Sequence, residues 1–254
     1  MTAVGGQKVA WITGAGKGIG RALAKRLADD GWIVAASART EHDLTDLVAD
    51  CPAGNAQAFC LDITDLANSE EVVASIEAKI GTIDLAVLNA GTHIPVTADT
   101  FSVEAYRRLV ETNLMGTVNG LAQIIPRFIE RKGGHIAVVA SVAGYRGLPS
   151  SAAYGATKAA LINMCEALKP ELERHGVRLT LINPGFVETP LTDRNDFPMP
   201  FLIPVDEAVD CIIRGLASSA FEVVFPRRFA FVMKLLRILP DRLFFALSRR
   251  LVRP

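Results

Sequence analysis

Cysteine is scarce in this chain, which has only four among its 254 residues: Cys51, Cys60, Cys165 and Cys211. No two of them have the close spacing of a zinc site or the pattern of a disulfide framework. We therefore expect reduced thiols without a catalytic role and a cytoplasmic location, and we predict no metal site.

The sequence also lacks a long apolar run and an excess of charge of one sign. No segment offers the roughly 18 uninterrupted apolar residues of a membrane span, and the start, MTAVGGQKVAWITG, does not resemble a secretory signal. The 27 basic and 27 acidic residues balance, so nothing draws the whole chain to nucleic acid. Since half of the residues are hydrophobic, a folded globular protein is expected.

Short apolar runs alternate with segments of helical periodicity along most of the chain. The predicted strands are residues 9–13, 33–36, 56–61, 85–88, 136–140, 177–182 and 221–225, and the predicted helices are residues 19–30, 41–50, 68–80, 101–131 and 152–175. This alternation predicts an α/β fold with a doubly wound parallel sheet, and ligands then bind beyond the carboxyl ends of the strands. No repeat or linker indicates a second domain, and Asn113, Gly116 and Pro126 predict a kink in the longest helix.

A glycine-rich turn, TGAGKGIG, follows the first predicted strand and precedes the first predicted helix. Glycines let the backbone approach a pyrophosphate closely, and a helix N-terminus offers free N–H groups to it. Ile19 occupies the place of the third glycine of the usual pattern, so the glycines that match are Gly14, Gly18 and Gly20. The turn predicts a dinucleotide site; the alternative is a glycine-rich turn without a ligand.

The end of the second strand bears on the choice of dinucleotide. Proteins that take NAD usually carry an acid there, whereas this chain has Ser37, Ala38 and Arg39. Arg39 together with Lys17 suits a 2′-phosphate through charge-assisted hydrogen bonds, so we predict NADP(H). The alternative is that both are solvated surface charges.

The stretch SVAGYRGLPSSAAYGATK places Ser141 thirteen residues before Tyr154 and Lys158 four residues after it. Residues four apart lie on one helix face, and a cation within about 4–6 Å lowers the pKa of a phenol. The pattern predicts a tyrosine that transfers protons near neutral pH, unless Tyr154 and Lys158 are an ordinary helix pair.

The motifs TGAGKGIG, LNAG and PGFVET, with Asn113 and the Ser141, Tyr154 and Lys158 set, resemble the short-chain dehydrogenase/reductase family over roughly residues 7–225. The resemblance implies a Rossmann-like sheet of seven strands. It implies that Tyr154 is the general acid/base and that Ser141 holds the substrate oxygen. It also implies that Lys158 binds the nicotinamide ribose and lowers the tyrosine pKa, and that Asn113 holds a water of a proton relay.

The same resemblance implies a set of cofactor contacts. They are Gly14, Gly16, Lys17, Gly18, Ile19, Gly20, Arg39, Asp62, Ile63, Asn89, Ala90, Gly91, Tyr154, Lys158, Pro184, Gly185, Val187 and Thr189. Asp62 is expected beside the adenine, and Pro184, Gly185 and Thr189 around the nicotinamide amide. Leu88 replaces the first Asn of the family's usual Asn-Asn-Ala-Gly.

The expected activity is hydride transfer between NADP(H) and a small-molecule carbonyl or secondary alcohol, with reduction of an apolar ketone or aldehyde favoured. The substrate loop 190–203, with Phe197, Met199 and Phe201, has the composition of an apolar lid, although ordinary loop packing explains it equally well. For His93, a loop-surface or hydrogen-bonding role is favoured over catalysis. The alternatives are a reductase of a lipid-like ketone at a membrane surface and a non-catalytic NADP(H)-binding regulatory protein.

Residues 226–254 form an extension beyond the catalytic domain assigned to residues 1–225. The extension contains eight basic residues and one acidic residue, Asp241, so the rest of the chain has a net charge of −7. Apolar and basic residues interleave on both sides of Pro240 and predict two short basic amphipathic helices. These helices are expected to contact a membrane peripherally, to cover the active site, or to pack against the body or a second subunit.

The helical segments 102–131 and 152–175 form subunit interfaces in relatives of the family. On the second segment, small residues face away from Tyr154: Ala156, Ala160, Asn163 and Ala167. We therefore predict a homodimer, with a tetramer as the alternative.

Overall fold

The computed structural model describes residues 6–194 and 199–252. Its strands are β1 (Val9–Thr13), β2 (Ile33–Ala38), β3 (Ala56–Cys60), β4 (Ile83–Leu88), β5 (His135–Val139), β6 (Arg178–Pro184) and β7 (Glu222–Phe225). They form one parallel sheet in the order β3-β2-β1-β4-β5-β6-β7. The predicted doubly wound sheet of seven strands is confirmed, and its strand order reverses between β1 and β4.

Helices connect the strands and cover both faces of the sheet. They are α1 (Gly18–Asp29), α2 (Glu41–Ala49), α3 (Leu66–Lys79), α4 (Val103–Leu109), α5 (Gly116–Glu130), α6 (Ala152–Arg174), α7 (Val205–Ala217), α8 (Arg227–Ile238) and α9 (Asp241–Ser248). Successive strand residues point to opposite faces, so Trp11 packs in the cluster that contains Phe128, and Ile12 packs in the cluster that contains Leu23. These two clusters lie on opposite faces of the sheet and fix its position relative to the loops at the carboxyl ends of the strands.

The segment predicted as one kinked helix, residues 101–131, has a different irregularity. A π-helix, Val110–Met115, separates α4 from α5, whereas α5 continues through Pro126. Asn113 lies in the π-helix with its side chain fully buried and hydrogen-bonded outside the helix. The irregularity is therefore set by Asn113 and not by the proline.

The remaining differences concern a missed helix and the ends of predicted elements. Helix α7 was not predicted, although it packs beside α1 over the sheet. The predicted pair of short helices around Pro240 is confirmed as α8 and α9. Among the described residues, no helix has both the length and the apolar character needed to cross a membrane.

Candidate active site

The glycine turn lies between β1 and α1, packed against the segment that follows β4. Gly14 and Gly18 have positive φ angles of 68° and 56°, which glycine adopts without strain. A Cβ added to Gly20 would stand 2.3 Å from the carbonyl oxygen of Gly14 and 2.4 Å from Nδ2 of Asn89. Gly14 and Gly18 are thus required by their backbone conformation. Gly20 is required because the neighbouring atoms leave no room for a side chain.

Hydrogen bonds join the ends of β1 and β4 at the point where the strand order reverses. Oγ1 of Thr13 accepts hydrogen bonds from the backbone N–H groups of Asn89 and Ala90, at 3.0 and 3.1 Å. Nδ2 of Asn89 donates in return to the carbonyl oxygens of Thr13 and Gly14, at 3.0 and 3.3 Å. Asn89 therefore joins the end of β1 and the glycine turn to the segment that follows β4.

The N-terminus of α1 opens into this cleft. Its N-cap residue, Lys17, makes no side-chain capping bond, and the first turn contains no acidic residue. The first N–H groups of a helix have no partner inside the helix, and the helix dipole favours an anion beside them. This end of α1 therefore fits the pyrophosphate of a dinucleotide.

A cavity of about 380 Å³ extends from the glycine turn across the ends of β2 and β3. Twelve of the predicted cofactor residues line it: Gly14, Gly16, Lys17, Gly18, Ile19, Arg39, Asp62, Ile63, Asn89, Ala90, Gly91 and Thr189. The lining also includes Pro190 and Leu191 of the predicted substrate loop, and residues that the sequence did not indicate: Thr40, Asp43, Thr64, Thr92, Arg108 and Thr112. Arg108 comes from α4, far along the chain, and no motif around it signals this position.

Charged groups of both signs stand at the β2 end of the cavity. Nζ of Lys17 lies 3.3 Å from Oδ2 of Asp43, and Arg39 is exposed. The pKa of Asp62 is lowered chiefly by the hydrogen bond from the backbone N–H of Thr64, and the charge of Arg39 adds to this effect. Lys17 is thus paired with Asp43, an acid that lies four residues beyond Arg39 and that no sequence motif indicated.

A second cavity of about 120 Å³ continues from the first and holds the predicted catalytic residues. Its lining includes Ser141, Tyr154 and Lys158 together with Pro184, Gly185, Val187 and Thr189. Ile19, Asn89, Gly91 and Thr189 line both cavities. The structure thus joins the Ser141, Tyr154 and Lys158 set to the cleft of the glycine turn.

Ser141 lies two residues after the end of β5 and caps a short 3-10 helix, Val142–Gly144. Its Oγ accepts a hydrogen bond from the backbone N–H of Ala143 at 3.1 Å and donates to the carbonyl oxygen of Pro184 at 3.4 Å. These contacts fix the hydroxyl between the ends of β5 and β6, at the edge of the sheet where ligands bind.

Tyr154 and Lys158 lie on one face of α6, as their spacing predicted. Although part of the Tyr154 side chain is exposed, burial of its hydroxyl raises its pKa, and the Ser141 hydroxyl offsets this effect only in part. Nζ of Lys158 donates to the carbonyl oxygen of Val139 at 2.9 Å, and burial lowers the pKa of Lys158 to about 8. Burial is the largest influence on the pKa of Tyr154, and the effect of Lys158 on the tyrosine pKa stays a prediction.

Asn113 connects the π-helix to the segment after β4. Its Oδ1 accepts from the backbone N–H of Thr92 at 2.7 Å, and its Nδ2 donates to the Thr92 carbonyl oxygen at 3.0 Å and to Oγ1 of Thr157 at 3.2 Å. A Cβ added to Gly91 would lie 3.3 Å from Oδ1 of Asn113 and 3.6 Å from Nζ of Lys158. Asn113 thus stands beside Lys158, and its part in a water relay stays a prediction.

His93 packs edge-on against Tyr154, with ring centres 4.8 Å apart. Its Nδ1 is buried and has no hydrogen-bond partner among the described residues. Burial also lowers the pKa of the imidazole ring. The hydrogen-bonding role favoured from the sequence is therefore not met within the described chain, and His93 forms an aromatic wall beside the phenol.

Aromatic side chains gather where the loop after β6 meets the extension. Phe186, next to Gly185, stacks on Phe229 of α8 with ring centres 5.3 Å apart, and Phe201 lies 6.1 Å from Phe229. Phe201 is partly exposed, whereas Phe229 is buried. Phe197, which belongs to the predicted lid, lies outside the described residues.

Comparisons with known proteins agree with this geometry. A sequence model described as short chain dehydrogenase matches residues 8–197. An uncharacterized oxidoreductase of Myxococcus xanthus is 38% identical over 246 residues, which are 96% of this chain and 97% of that protein. A short chain dehydrogenase from Burkholderia cenocepacia, solved in complex with NADP, is 31% identical with a TM-score of 0.83 over 98% of both chains.

A third similar protein carries the other nicotinamide cofactor. A 3-ketoacyl-(acyl-carrier-protein) reductase from Brucella melitensis, solved with NADH, is 31% identical with a TM-score of 0.78. That match covers 85% of this chain and 94% of the other. Since similar structures carry NADP or NADH, the charges of the cleft must decide between the two.

Proposed function

The chain belongs to the short-chain dehydrogenase/reductase family, and within this family of oxidoreductases we propose that it is an NADP(H)-dependent reductase of apolar ketones or aldehydes. The observation that carries the proposal is the small cavity where Ser141, Tyr154 and Lys158 meet the end of the dinucleotide cleft. A carbonyl compound in this cavity would lie against the phenol and the serine hydroxyl. The open N-terminus of α1 and the closely packed glycine turn fit the cofactor.

The residues of the cavity support a proton transfer coupled to hydride transfer. When bound, the nicotinamide supplies the hydride to the carbonyl carbon. Tyr154 then donates its proton to the oxygen, on which negative charge develops, and Ser141 donates a hydrogen bond to the same oxygen. Both interactions are stronger in the transition state than in the ground state, which is the condition for acceleration.

The raised pKa of Tyr154 favours the reductive direction. A phenol with a raised pKa stays protonated at neutral pH and is ready to act as an acid. The oxidative direction requires a phenolate, which burial disfavours. The raised pKa therefore supports the role of Tyr154 as the proton donor in carbonyl reduction.

The charges at the end of β2 support NADP(H) over NAD(H). Arg39 is exposed at the cleft, and its guanidinium suits a 2′-phosphate. Asp43 lies near the same place, but its carboxylate is already paired with Lys17. A hydrogen bond to a charged group contributes about 1.5–3 kcal/mol, so removal of Arg39 should weaken NADPH binding roughly 10- to 100-fold.

The cofactor test compares NADPH and NADH affinity in the wild type, in Arg39→Ala and in Arg174→Ala. Arg174 is an exposed arginine at the end of α6, away from the cleft, and serves as the matched control. We expect only Arg39→Ala to lose NADPH affinity, with NADH affinity unchanged. Tighter binding of NADH than of NADPH by the wild type would refute the cofactor assignment.

The aromatic cluster of Phe186, Phe201 and Phe229 supports an apolar substrate. The cavity itself adds Val187 and Leu191 to its lining. The test is an NADPH-oxidation screen across ketones and aldehydes of increasing chain length, with NADH as the control. We expect turnover to increase with apolar chain length; failure with every carbonyl compound would favour the non-catalytic alternative.

An apolar patch on α4 and the π-helix supports assembly into a homodimer. Phe101, Val103, Val110 and Met115 are all exposed there, on the segment that forms interfaces in relatives. The small residues of α6, Ala156, Asn163 and Ala167, are also exposed. A sedimentation measurement that gives a monomer at micromolar concentration would contradict this part of the proposal.

A further inference from the structure

The described part of the extension comprises α8, α9 and the 3-10 turn Arg249–Leu251. Some of its apolar side chains are buried and others are exposed. On α8, the side chains of Phe229, Ala230 and Met233 are buried against the body. On the opposite side of the same helix, Phe231 and Ile238 are 71% and 76% exposed. An amphipathic helix of a globular protein normally has one apolar face, whereas α8 carries further apolar side chains that are largely exposed.

The rest of the extension also carries exposed apolar side chains. Leu243 and Leu247 lie four residues apart on α9, and both are about half exposed. Of the sixteen large hydrophobic side chains exposed in the described chain, nine belong to the extension or directly follow it: Phe231, Val232, Leu235, Ile238, Leu243, Phe245, Leu247, Leu251 and Val252. Such a concentration in one short segment marks an interaction surface.

Basic side chains surround these apolar residues, and most of them have no acidic partner. Within residues 6–194 and 199–252, no salt bridge is formed by Arg227, Arg228, Arg237, Arg242, Arg249 or Arg250. Lys234 pairs with Glu222, and Asp241, the one acidic residue of the extension, pairs with Arg146. The surface is therefore apolar and strongly positive.

The body holds the extension in one orientation. Asp241 lies 2.5 Å from Arg146, whose guanidinium also stacks over the ring of Phe244 at 4.4 Å. Lys234 contacts Glu222 at 2.5 Å, and Phe229 stacks on Phe186. Because both helices are tied to the body through their other side, the exposed apolar side exists before any partner binds.

We propose that this exposed side of the extension is a docking surface for membranes that contain anionic phospholipids. Apolar side chains enter the boundary between headgroups and acyl chains, and the surrounding arginines contact phosphate groups. With 12 and 8 residues, α8 and α9 are too short to span a bilayer and instead lie in the plane of its interface.

Charge complementarity favours a membrane over a second copy of this chain. In a two-fold dimer the same patch faces itself, so two sets of unpaired arginines would meet and repel each other. Anionic lipids offer negative charge across the whole surface, and their acyl region accepts Phe231, Leu235 and Ile238. The proposed dimer uses exposed apolar residues from a different segment, which includes α4 and the π-helix.

The test is co-sedimentation of the full chain with vesicles of phosphatidylcholine, with and without phosphatidylglycerol. The variants are Phe231→Ser/Ile238→Ser in the extension and, as the matched control, Phe101→Ser/Val103→Ser on the α4 side. We expect the wild type and the control to partition at least about tenfold more strongly onto the anionic vesicles, and high salt to release them. The extension variant should lose this partitioning while its NADPH binding and thermal unfolding stay unchanged.

Three results would overturn the proposal. One is equal partitioning of the wild type and the extension variant, and another is salt-independent binding of the wild type that does not distinguish the two kinds of vesicle. The third is an absence of vesicle binding in the wild type, accompanied by a smaller oligomer for the extension variant. In that case the exposed side would be a subunit interface.

Discussion

The ammonium nitrogen of Lys158 lies 5.7 Å from the centre of the Tyr154 ring and donates its hydrogen bond to the Val139 carbonyl oxygen. The two side chains share a face of α6, but the cation is directed at the end of β5. Burial therefore controls the pKa of both groups: it raises that of the phenol and lowers that of the ammonium. In this proposed catalytic pair, burial favours the protonated phenol and the uncharged amine.

The low pKa of Lys158 predicts how stability depends on pH in the cofactor-free protein. The folded value is about 8 and the ordinary value is 10.5, so the unfolded chain binds more protons between them. The free energy of unfolding must therefore rise with pH across this window. Below pH 8 the buried lysine is charged, and its burial lowers the free energy of unfolding by roughly 3 kcal/mol. Lys158→Met should therefore be more stable than the wild type at pH 7, with the difference shrinking as the pH approaches 10.

Urea unfolding of both proteins from pH 7 to pH 10 measures this effect. The control is Lys79→Met, which replaces an exposed lysine on α3 and should give a curve parallel to the wild type. A constant difference between Lys158→Met and the wild type at all pH values would show that Lys158 is not buried as a cation.

Replacement of Tyr154 by Phe tests the proton donor. The ring, its contact with His93 and its packing remain, whereas the proton is lost, so kcat should fall about 10²- to 10⁴-fold. NADPH affinity, measured by fluorescence titration, should stay close to the wild type. Tyr106→Phe on α4 is the control, and wild-type turnover by the Tyr154 variant would rule out the assigned role.

Gly20→Ala tests the packing of the glycine turn. Its Cβ would stand 2.3 Å from the Gly14 carbonyl oxygen and 2.4 Å from Asn89, and neither can move without opening the cleft. We expect NADPH affinity to fall at least about tenfold and the free energy of unfolding to fall by about 1–3 kcal/mol. In Gly147→Ala the added Cβ meets nothing within 4 Å, so both quantities should be unchanged. Equal effects of the two substitutions would refute the steric argument.

Glu222 accepts three hydrogen bonds, one of which comes from Lys234 of α8 and joins the extension to the body. Its carboxylate accepts from the Tyr145 hydroxyl, from Nδ2 of Asn183 at 2.8 Å and from Lys234. Burial alone would raise the pKa of Glu222, but these bonds outweigh it and lower the pKa. The stabilisation is therefore present above the ordinary value of 4.5 and disappears as the pH falls through the lower folded value.

Glu222→Gln should consequently loosen α8 at neutral pH. Loss of the charged partner should cost about 1–3 kcal/mol, seen in urea unfolding and as faster hydrogen exchange of the α8 amides. Acidification below pH 4.5 should reduce the difference between this variant and the wild type. Glu130→Gln, at an exposed end of α5, is the control. Unchanged exchange in α8 would mean that Glu222 does not anchor the extension.

Motifs with a fixed local geometry were predictable from the sequence. The glycine turn needs Gly14 and Gly18 because their φ angles are positive, and a strand before and a helix after it are visible in the pattern of apolar residues. The interval between Tyr154 and Lys158 puts both on one helix face whatever the rest of the chain does. These features depend only on neighbours in the sequence.

Features that depend on distant neighbours were missed or mispredicted. Asp43 and Arg108 line the cofactor cleft although no motif includes them, since α2 and α4 reach the cleft only through the packing of the sheet. The π-helix at Asn113 arises from hydrogen bonds to Thr92 and Thr157, which are remote in the chain. No local pattern could have indicated these contacts.

By itself the sequence determined the fold class and the identity of the candidate catalytic residues, because both follow from short-range spacing. Only the tertiary structure showed that the pKa of Tyr154 is raised. Burial of its hydroxyl causes this change, and Lys158 directs its hydrogen bond to the Val139 carbonyl oxygen at the end of β5. The tertiary structure also decided which apolar side of α8 stays exposed. An alternating sequence is compatible with either side facing the body, and the contacts of Phe229 and Met233 make the choice.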